Sequence, residues 1–292
     1  MAVSAVPSMN CTKSVPGLLI AILLVSGMPG CKNVENYLDP DGPRFSGNYA
    51  PIRGESSVPF SGQIKVVSYN IKHSINIAGA LAELETVEEL KGTDVVMLQE
   101  MDEVGADSIA KTIGFNYVYY PAIVHSSNNR NFGNAVLSRY PIVDDGKVIL
   151  PYEDIKREQK RIAVFATIDI EGLLIRVYSV HTENLWLSPN KRFLQADSVL
   201  KSIPISIDHV IVGGDFNTAD PITLAATPKL FSDNDYEWAT REVGSTVKIG
   251  PVGVISDFIF TKGFRVVNAG RVEDATASDH LPVWADLVIL RD

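Results

Sequence analysis

The chain has 292 residues, 46% of them hydrophobic, and a formal net charge of −9. That composition suits a globular chain with a sizeable core and excludes the disordered and fibrous classes. The acidic balance argues against a non-specific basic clamp on nucleic acid, which draws its affinity from Lys and Arg against phosphates. Cys11 and Cys31 are the only cysteines, so beyond residue 31 the chain has neither a disulfide nor a thiol nucleophile.

In chain order, the first element is an apolar run, Leu18 to Val25, preceded by Lys13 and followed by Gly30-Cys31. It is shorter than the ~20 residues that cross a bilayer, and residues 1–30 therefore read as a signal peptide. Gly30 before Cys31 resembles a lipobox, in which the cysteine is acylated and anchors the chain to a bacterial membrane, facing the periplasm or exterior. Plain secretion by ordinary cleavage is the alternative. Residues 31–60 scatter Pro40, Pro43, Pro51 and Pro59 among Gly42, Gly47 and Gly54. This is the composition of a flexible tether, expected to hold a domain on the order of 30 Å from its anchor.

Residues 61–292 show no second linker, repeat or low-complexity tract and read as one catalytic domain. Strands are expected over 64–70, 95–100, 134–138, 162–170, 173–181, 209–214, 257–260 and 282–290, from their lengths and β-branched content. Leu81, Leu84, Val87 and Leu90 mark one amphipathic helix. Phe193, Ala196, Val199 and Leu200 mark another, with Ser188-Pro189 as cap and first turn. The class is α/β or α+β. The run His209 to Val212 reads as buried on both faces, whereas 173–181, with Arg176 and Tyr178, reads as having one wetter face.

The polar residues follow a positional rule. Asn70, Glu100, His181 and Asp215 each stand at or just past the C-terminal end of an apolar run, while Asp257 and Asp279-His280 immediately precede one. Antiparallel placement of the later strands would gather them all at one rim of the sheets, where loops carry chemistry on a rigid scaffold. Singly, each is explained as a strand terminator or turn former; the recurrence is the signal. Carboxylates crowded there would repel by roughly 4 kcal/mol per pair at ~4 Å and an effective dielectric near 20. A donor set rich in Asp, Glu and Asn oxygens calls for a hard cation, Mg²⁺ first, with Mn²⁺ or Ca²⁺ as alternatives. The histidines lack the close spacing of a zinc site.

Seven motifs occur in order: Ser68-Tyr69-Asn70, Leu98-Gln99-Glu100, Gly133 to Arg139, Val180-His181-Thr182, Gly213-Gly214-Asp215-Phe216-Asn217, Ser256 to Phe260, and Ser278 to Pro282. Together they resemble the endonuclease/exonuclease/phosphatase, or deoxyribonuclease I-like, superfamily. The resemblance implies a four-layer sandwich of two packed mixed β-sheets flanked by helices, and hydrolysis of a phosphoester. It also implies roles. Glu100 would be the principal metal ligand with Asn70 and Asp279 in or near the metal shell, and Asp215 would orient or deprotonate the attacking water. Asn217 would hold the phosphate or that water, His280, oriented by Asp257, would face the phosphate, and His181 would assist the leaving group or a phosphate oxygen. Lys72 stands where several DNA-repair members have Asp. His73, Arg130, Asn134 and Arg161 are candidate substrate contacts, while Arg192 and Gln195 read as structural.

The function expected is an exported, metal-dependent phosphoesterase that cleaves a phosphodiester or phosphomonoester by metal-assisted attack of water. Its substrate would be a small molecule, a lipid head group or nucleic acid; the membrane is met through Cys31, and no protein partner is implied. A secreted nuclease acting on DNA or RNA, and a non-catalytic binding protein on the same scaffold, are the alternatives. A two-carboxylate glycosidase would need neither the Asp215/Asn217 pair nor two histidines.

Overall fold

Side chains alternate across a strand, so a strand buried on both faces must serve two layers. The computed structural model, which describes residues 35–51, 60–154, 156–249 and 252–290, shows this alternation in its central strands. Val66, Val95 and Met97 point into a core shared with Val164, Val177 and Ile211. Their chain neighbours Val67, Val96 and Leu98 point the other way, against Ala80, Ala106 and Ile109 of covering helices.

In chain order the strands are β1 (Glu35–Asn36), β2 (Phe45–Asn48), β3 (Gln63–Asn70), β4 (Val95–Met101), β5 (Asn116–His125), β6 (Arg130–Ser138), β7 (Ile142–Ile149), β8 (Ile162–Ile170), β9 (Leu173–His181), β10 (Val210–Asp215), β11 (Glu237–Trp238), β12 (Val247–Ile249), β13 (Val252–Val254), β14 (Asp257–Lys262), β15 (Phe264–Arg271) and β16 (Val283–Ile289). The α-helices are α1 (Ile77–Thr86), α2 (Glu103–Ile113), α3 (Pro189–Ser202) and α4 (Pro221–Ser232). One sheet has the order β1-β5-β6-β4-β3-β16-β15, with β2 also on β5; the other has the order β11-β14-β10-β9-β8-β7, and β12 pairs with β13 in a separate ribbon. Both large sheets are mixed: β3 and β4 are parallel, as are β9 and β10, whereas β16 on β3 and β14 on β10 are antiparallel. Helices α1 and α2 cover the first sheet, and α3 and α4 cover the second through Ala196, Val199 and Phe231. The result is the expected four-layer sandwich of two mixed sheets flanked by helices. The antiparallel return of β14 and β16 meets the condition for a common rim.

Two expectations are corrected. Residues 35–48 are not free tether: β1 and β2 pair along β5, and Arg44 grips Asp145 through Nε at 2.6 Å and Nη2 at 2.7 Å. Proline and glycine content there reflects turns between short edge strands, with the buried Lys147 ammonium donating to the carbonyls of Tyr37 and Gly42. The segment expected to be a signal peptide, residues 1–30, and Cys31 lie outside the described residues. Beyond its first two residues, strand β9 also has no wetter face. Tyr178 is fully buried under the helices, and Arg176 lies over the Phe165 ring with its head group on Asp144, so a polar tip hides an apolar stem.

The helices differ from expectation at their ends. Helix α1 begins at Ile77, where Asn76 caps it through Gly79 N, and stops at Thr86; Val87 is extended, and Leu90 closes a separate short turn. Helix α3 starts as expected at Ser188-Pro189, although the serine side chain makes no capping bond. Helix α2 is not among the expected helices, yet it buries Ala106, Ile109 and Ala110 on one face, Asp102 caps its N-terminus through Gly105 N and left-handed Gly114 closes it.

The second sheet is tightest at Gly214. Its φ is 151°, and a Cβ there would stand 1.9 Å from the Val180 carbonyl oxygen on β9. Gly214→Ala is therefore expected to destabilise the fold by roughly 2–3 kcal/mol and to displace Asp215, a loss measurable by denaturant melts. A wild-type midpoint would show that β9 and β10 tolerate separation.

Candidate active site

Strand β10 is the axis of the site. It runs between β9 and β14, and the register sets Asp215 opposite both His181 and Asp257. Three side chains far apart in sequence thus share one rung. Across the cleft, β4 slips its register against β6 after Leu98, and Glu100 takes a φ of 59°. Such a bulge re-aims a side chain, here bringing Glu100 Oε1 to 3.2 Å from Asn70 Nδ2 at the end of β3. The approach to β16 supplies His280 to the same rim.

Asp215 is the hub. Its Oδ1 accepts from Ser256 Oγ at 2.6 Å and from the Asn217 amide at 2.8 Å, while Oδ2 accepts from Asn70 Nδ2 at 3.1 Å. Both histidine Nε2 atoms, of His181 and His280, stand 3.7 Å from that Oδ2. This exceeds hydrogen-bond length, so the carboxylate and two imidazoles bracket a space rather than bond across it. His280 Nδ1 meets Asp257 Oδ2 at 2.9 Å, the contact that orients the ring. Asn217 Nδ2 donates to the Thr182 carbonyl, tying the β10 loop to the β9 loop.

The two histidines are pushed apart electrostatically. Burial lowers the His181 pKa well below 6.5, and the nearby charges of Arg161, His280 and His73 act in the same direction, so this imidazole is neutral. Burial alone would lower His280 too, but Asp257 and Asp215, with Glu100 behind them, raise it to about 10. Burial pushes the Asp257 carboxyl up while the adjacent imidazole pulls it down; flanked by carboxylates at both nitrogens, His280 holds the shared proton.

The structure brings Asn70, Glu100, His181, Asp215, Asn217, Asp257 and His280 together. Asp279 is at the edge: its carboxylate is engaged by Lys72 Nζ at 3.0 Å, and that ammonium, with His280, outweighs burial and lowers its pKa. His73 joins the cluster through its backbone N–H, which donates to Glu100 Oε2 at 3.1 Å, and through its ring, whose Nε2 stands 3.4 Å from the same oxygen. Arg161 is buried beside the loop that follows His181 and pairs with Glu183 at 3.1 Å, leaving Nε and Nη1 without a hydrogen bond among the described residues. Asn134 spends its amide on the two sheets. It is 1% exposed, and its Nδ2 donates to the carbonyls of Ile162 and Ser179, stitching the two sheets together. Arg130 is engaged by Asp102. Arg192 and Gln195 are structural: Arg192 holds the Asn184 and Leu187 carbonyls and Asp220, and Gln195 bridges Glu183 N to Pro151 O. Sequence reasoning assigns no role to Ser256, which anchors Asp215, or to Ser278, whose Oγ donates to the Asn70 carbonyl at 2.7 Å. Their adjacency to Asp257 and Asp279 is the available signal.

The donor set fits a divalent cation. Glu100 and Asp215 converge on one Asn70 amide, and among the described residues their salt-bridge partners are histidines alone. Ligand atoms of Asp215, Asp257 and His280 also lie within 4.8 Å of one another.

Several solved structures carry the same scaffold. The chain is similar to an endonuclease/exonuclease/phosphatase family protein from Bacteroides thetaiotaomicron, at 17% identity and TM-score 0.61, over 78% of this chain and 95% of that one. It is similar to a mannosyl-6-phosphatase from the same species, at 18% identity and TM-score 0.61, over 77% and 100%. A humanized D. rerio TDP2 aligns at 15% identity and TM-score 0.59, over 78% and 99%. No curated protein sequence matches. The family model described as Endonuclease/Exonuclease/phosphatase family matches residues 67–280, which span every residue of the cluster, and the chain belongs to that family of phosphoester hydrolases.

Proposed function

We propose that this protein is an exported, divalent-metal-dependent phosphoesterase that hydrolyses a phosphodiester or phosphomonoester by attack of water. The observation that supports it is the hub: one fixed carboxylate, Asp215, faces a neutral and a charged imidazole across gaps of 3.7 Å. Environments that push two titratable groups apart are how acid and base work are divided at one pH.

In this reading a water in the bracketed space gives its proton to Asp215 Oδ2, whose partner oxygen is immobilised by Ser256 and Asn217. The His280 imidazolium, held by Asp257, donates to a phosphoryl oxygen as charge grows there. Asn217 and neutral His181 position the remaining phosphate oxygens or the leaving group. Glu100, with Asn70 beside it, would hold a divalent cation, which when bound polarises the phosphoryl group and neutralises charge. Mg²⁺ suits the oxygen ligands; Asp279 would have to release Lys72 to join them.

Hydrolysis of a model phosphodiester is expected to vanish with EDTA and to return with Mg²⁺. Asp215→Asn and His280→Asn should each lower kcat by ~10² to 10⁴ with unchanged melting curves. Full turnover in either variant removes the role given to that residue.

His280 is protonated below its raised pKa, so activity that needs the imidazolium falls as pH rises through that value. Removing the Asp257 charge lowers the pKa, and the alkaline limb of kcat/KM in Asp257→Asn should move to lower pH. An unmoved limb assigns that limb to another group.

Export is supported by the apolar run Leu18 to Val25 ahead of Gly30-Cys31. Fractionation of cells expressing the full chain should place it in the envelope or medium; retention in the cytosol rejects it.

A further inference from the structure

Large apolar side chains left in water at one spot signal a contact surface. On the loop that follows His181, Leu185 is 51% exposed and Trp186 is 60% exposed. The loop is built to display them. Trp186 N donates to Asn184 Oδ1 and Leu187 N to Asn184 O, while Leu187 is buried as a plug. Beneath, the Arg192 guanidinium holds the Asn184 and Leu187 carbonyls and is itself pinned by Asp220. Exposure here is imposed by the scaffold and is not slack.

Cations border the pair. Lys156 Nζ lies 4.9 Å from the Trp186 ring centroid, and exposed Arg157 follows it. Among the described residues neither head group has a carboxylate partner, in contrast to Lys160 on Glu153 and Arg161 on Glu183 in the same segment. An acidic chain thus leaves two uncompensated cations next to an exposed aromatic and an exposed aliphatic side chain. That combination suits a lipid–water interface, where indole, aliphatic and basic groups partition together.

The start of the described chain favours the same occupant. Strand β1 sets Glu35 opposite Val124, and the next residue, Asn36, bonds Glu158 O and Lys160 N at 2.8 Å each, in the loop that bears Lys156 and Arg157. Glu35 follows Cys31 by four residues, at most about 14 Å of extended chain. In the exported reading, an anchor at Cys31 would be joined to β1 by no more than that length of chain.

We infer that Leu185 and Trp186, with Lys156 and Arg157, form a ledge that contacts an anionic lipid bilayer and turns the mouth of the active site toward that surface. The orientation draws on the exported reading; the contact itself requires no hydrolysis.

The test uses the full chain with vesicles containing brominated phosphatidylglycerol, whose bromines quench tryptophan fluorescence on contact. Trp238 and Trp284 are the other tryptophans, and Trp284 is buried. Most of the quenching should disappear in Trp186→Phe, and Lys156→Glu with Arg157→Glu should weaken vesicle affinity by about fivefold or more. Melting curves and turnover of a soluble phosphodiester should stay at wild type in all variants. Equal quenching in Trp186→Phe overturns the proposal. So does quenching by a single-stranded oligonucleotide with none by vesicles, which would make the ledge a base-stacking shelf. Because binding is read without catalysis, failure here leaves the phosphoesterase reading standing, and an inactive protein that still shows Trp186-dependent quenching leaves the ledge standing.

Discussion

The register of β10 is the constraint on which the site depends. A strand parallel to one neighbour and antiparallel to the other places its last residue beside the end of β9 and the beginning of β14, so Asp215 meets His181 and Asp257 on one rung. A slip by one residue would turn all its side chains to the other face and exchange Ile211 in the central core with Val210 and Val212 under the helices. Hydrophobic burial on both faces therefore fixes the chemistry at the strand's end. Gly214 allows β9 to lie close enough for this, since any Cβ would strike the Val180 carbonyl.

On that frame the electrostatics follow from burial and neighbours rather than from special residues. The same residue type is neutral at His181, where burial and nearby cations act together, and charged at His280, where Asp257 and Asp215 outweigh burial. Charged groups gathered in a low-dielectric cleft are costly unless paired. His280 with Asp257 pairs internally, while Glu100 and Asp215 are left with an amide and histidines, which is the residual negative charge a dication would neutralise.

The strand ends are legible because the residues that end buried runs are also those that face the rim. Asn70, Glu100, His181, Asp215, Asp257 and His280 are found this way, and the antiparallel return of β14 and β16 makes the pattern one site. Three things are not legible, each for a long-range reason. The ion pair of Asp279 with Lys72, more than two hundred residues away, is one. The bonds by which the Asn134 amide closes the gap between sheets are another. Strands β1 and β2 are too short and too rich in turn residues to read as strands; Arg44 on Asp145 and Asn36 on the loop before β8 hold them, and no local pattern encodes such bonds.

Backbone strain shows where precision is favoured over stability. Of ten non-glycine residues with positive φ among those described, five belong to the site: Lys72, His73, Ser74, Glu100 and Asn217. Each left-handed residue costs on the order of 1–3 kcal/mol and persists only where its surroundings over-determine it. Here they do. The Lys72–Ser74 turn delivers the His73 N–H to Glu100 and the Lys72 N–H to Asn70 Oδ1, while Ser74 Oγ accepts from the Asp102 amide just after the bulge. At Asn217 the strained backbone lets one residue donate to Asp215 and Thr182 at once. Relaxing any one of these turns would free local energy and disperse the carboxylates, so the strain is concentrated at the points where geometry, rather than burial, must position an oxygen atom.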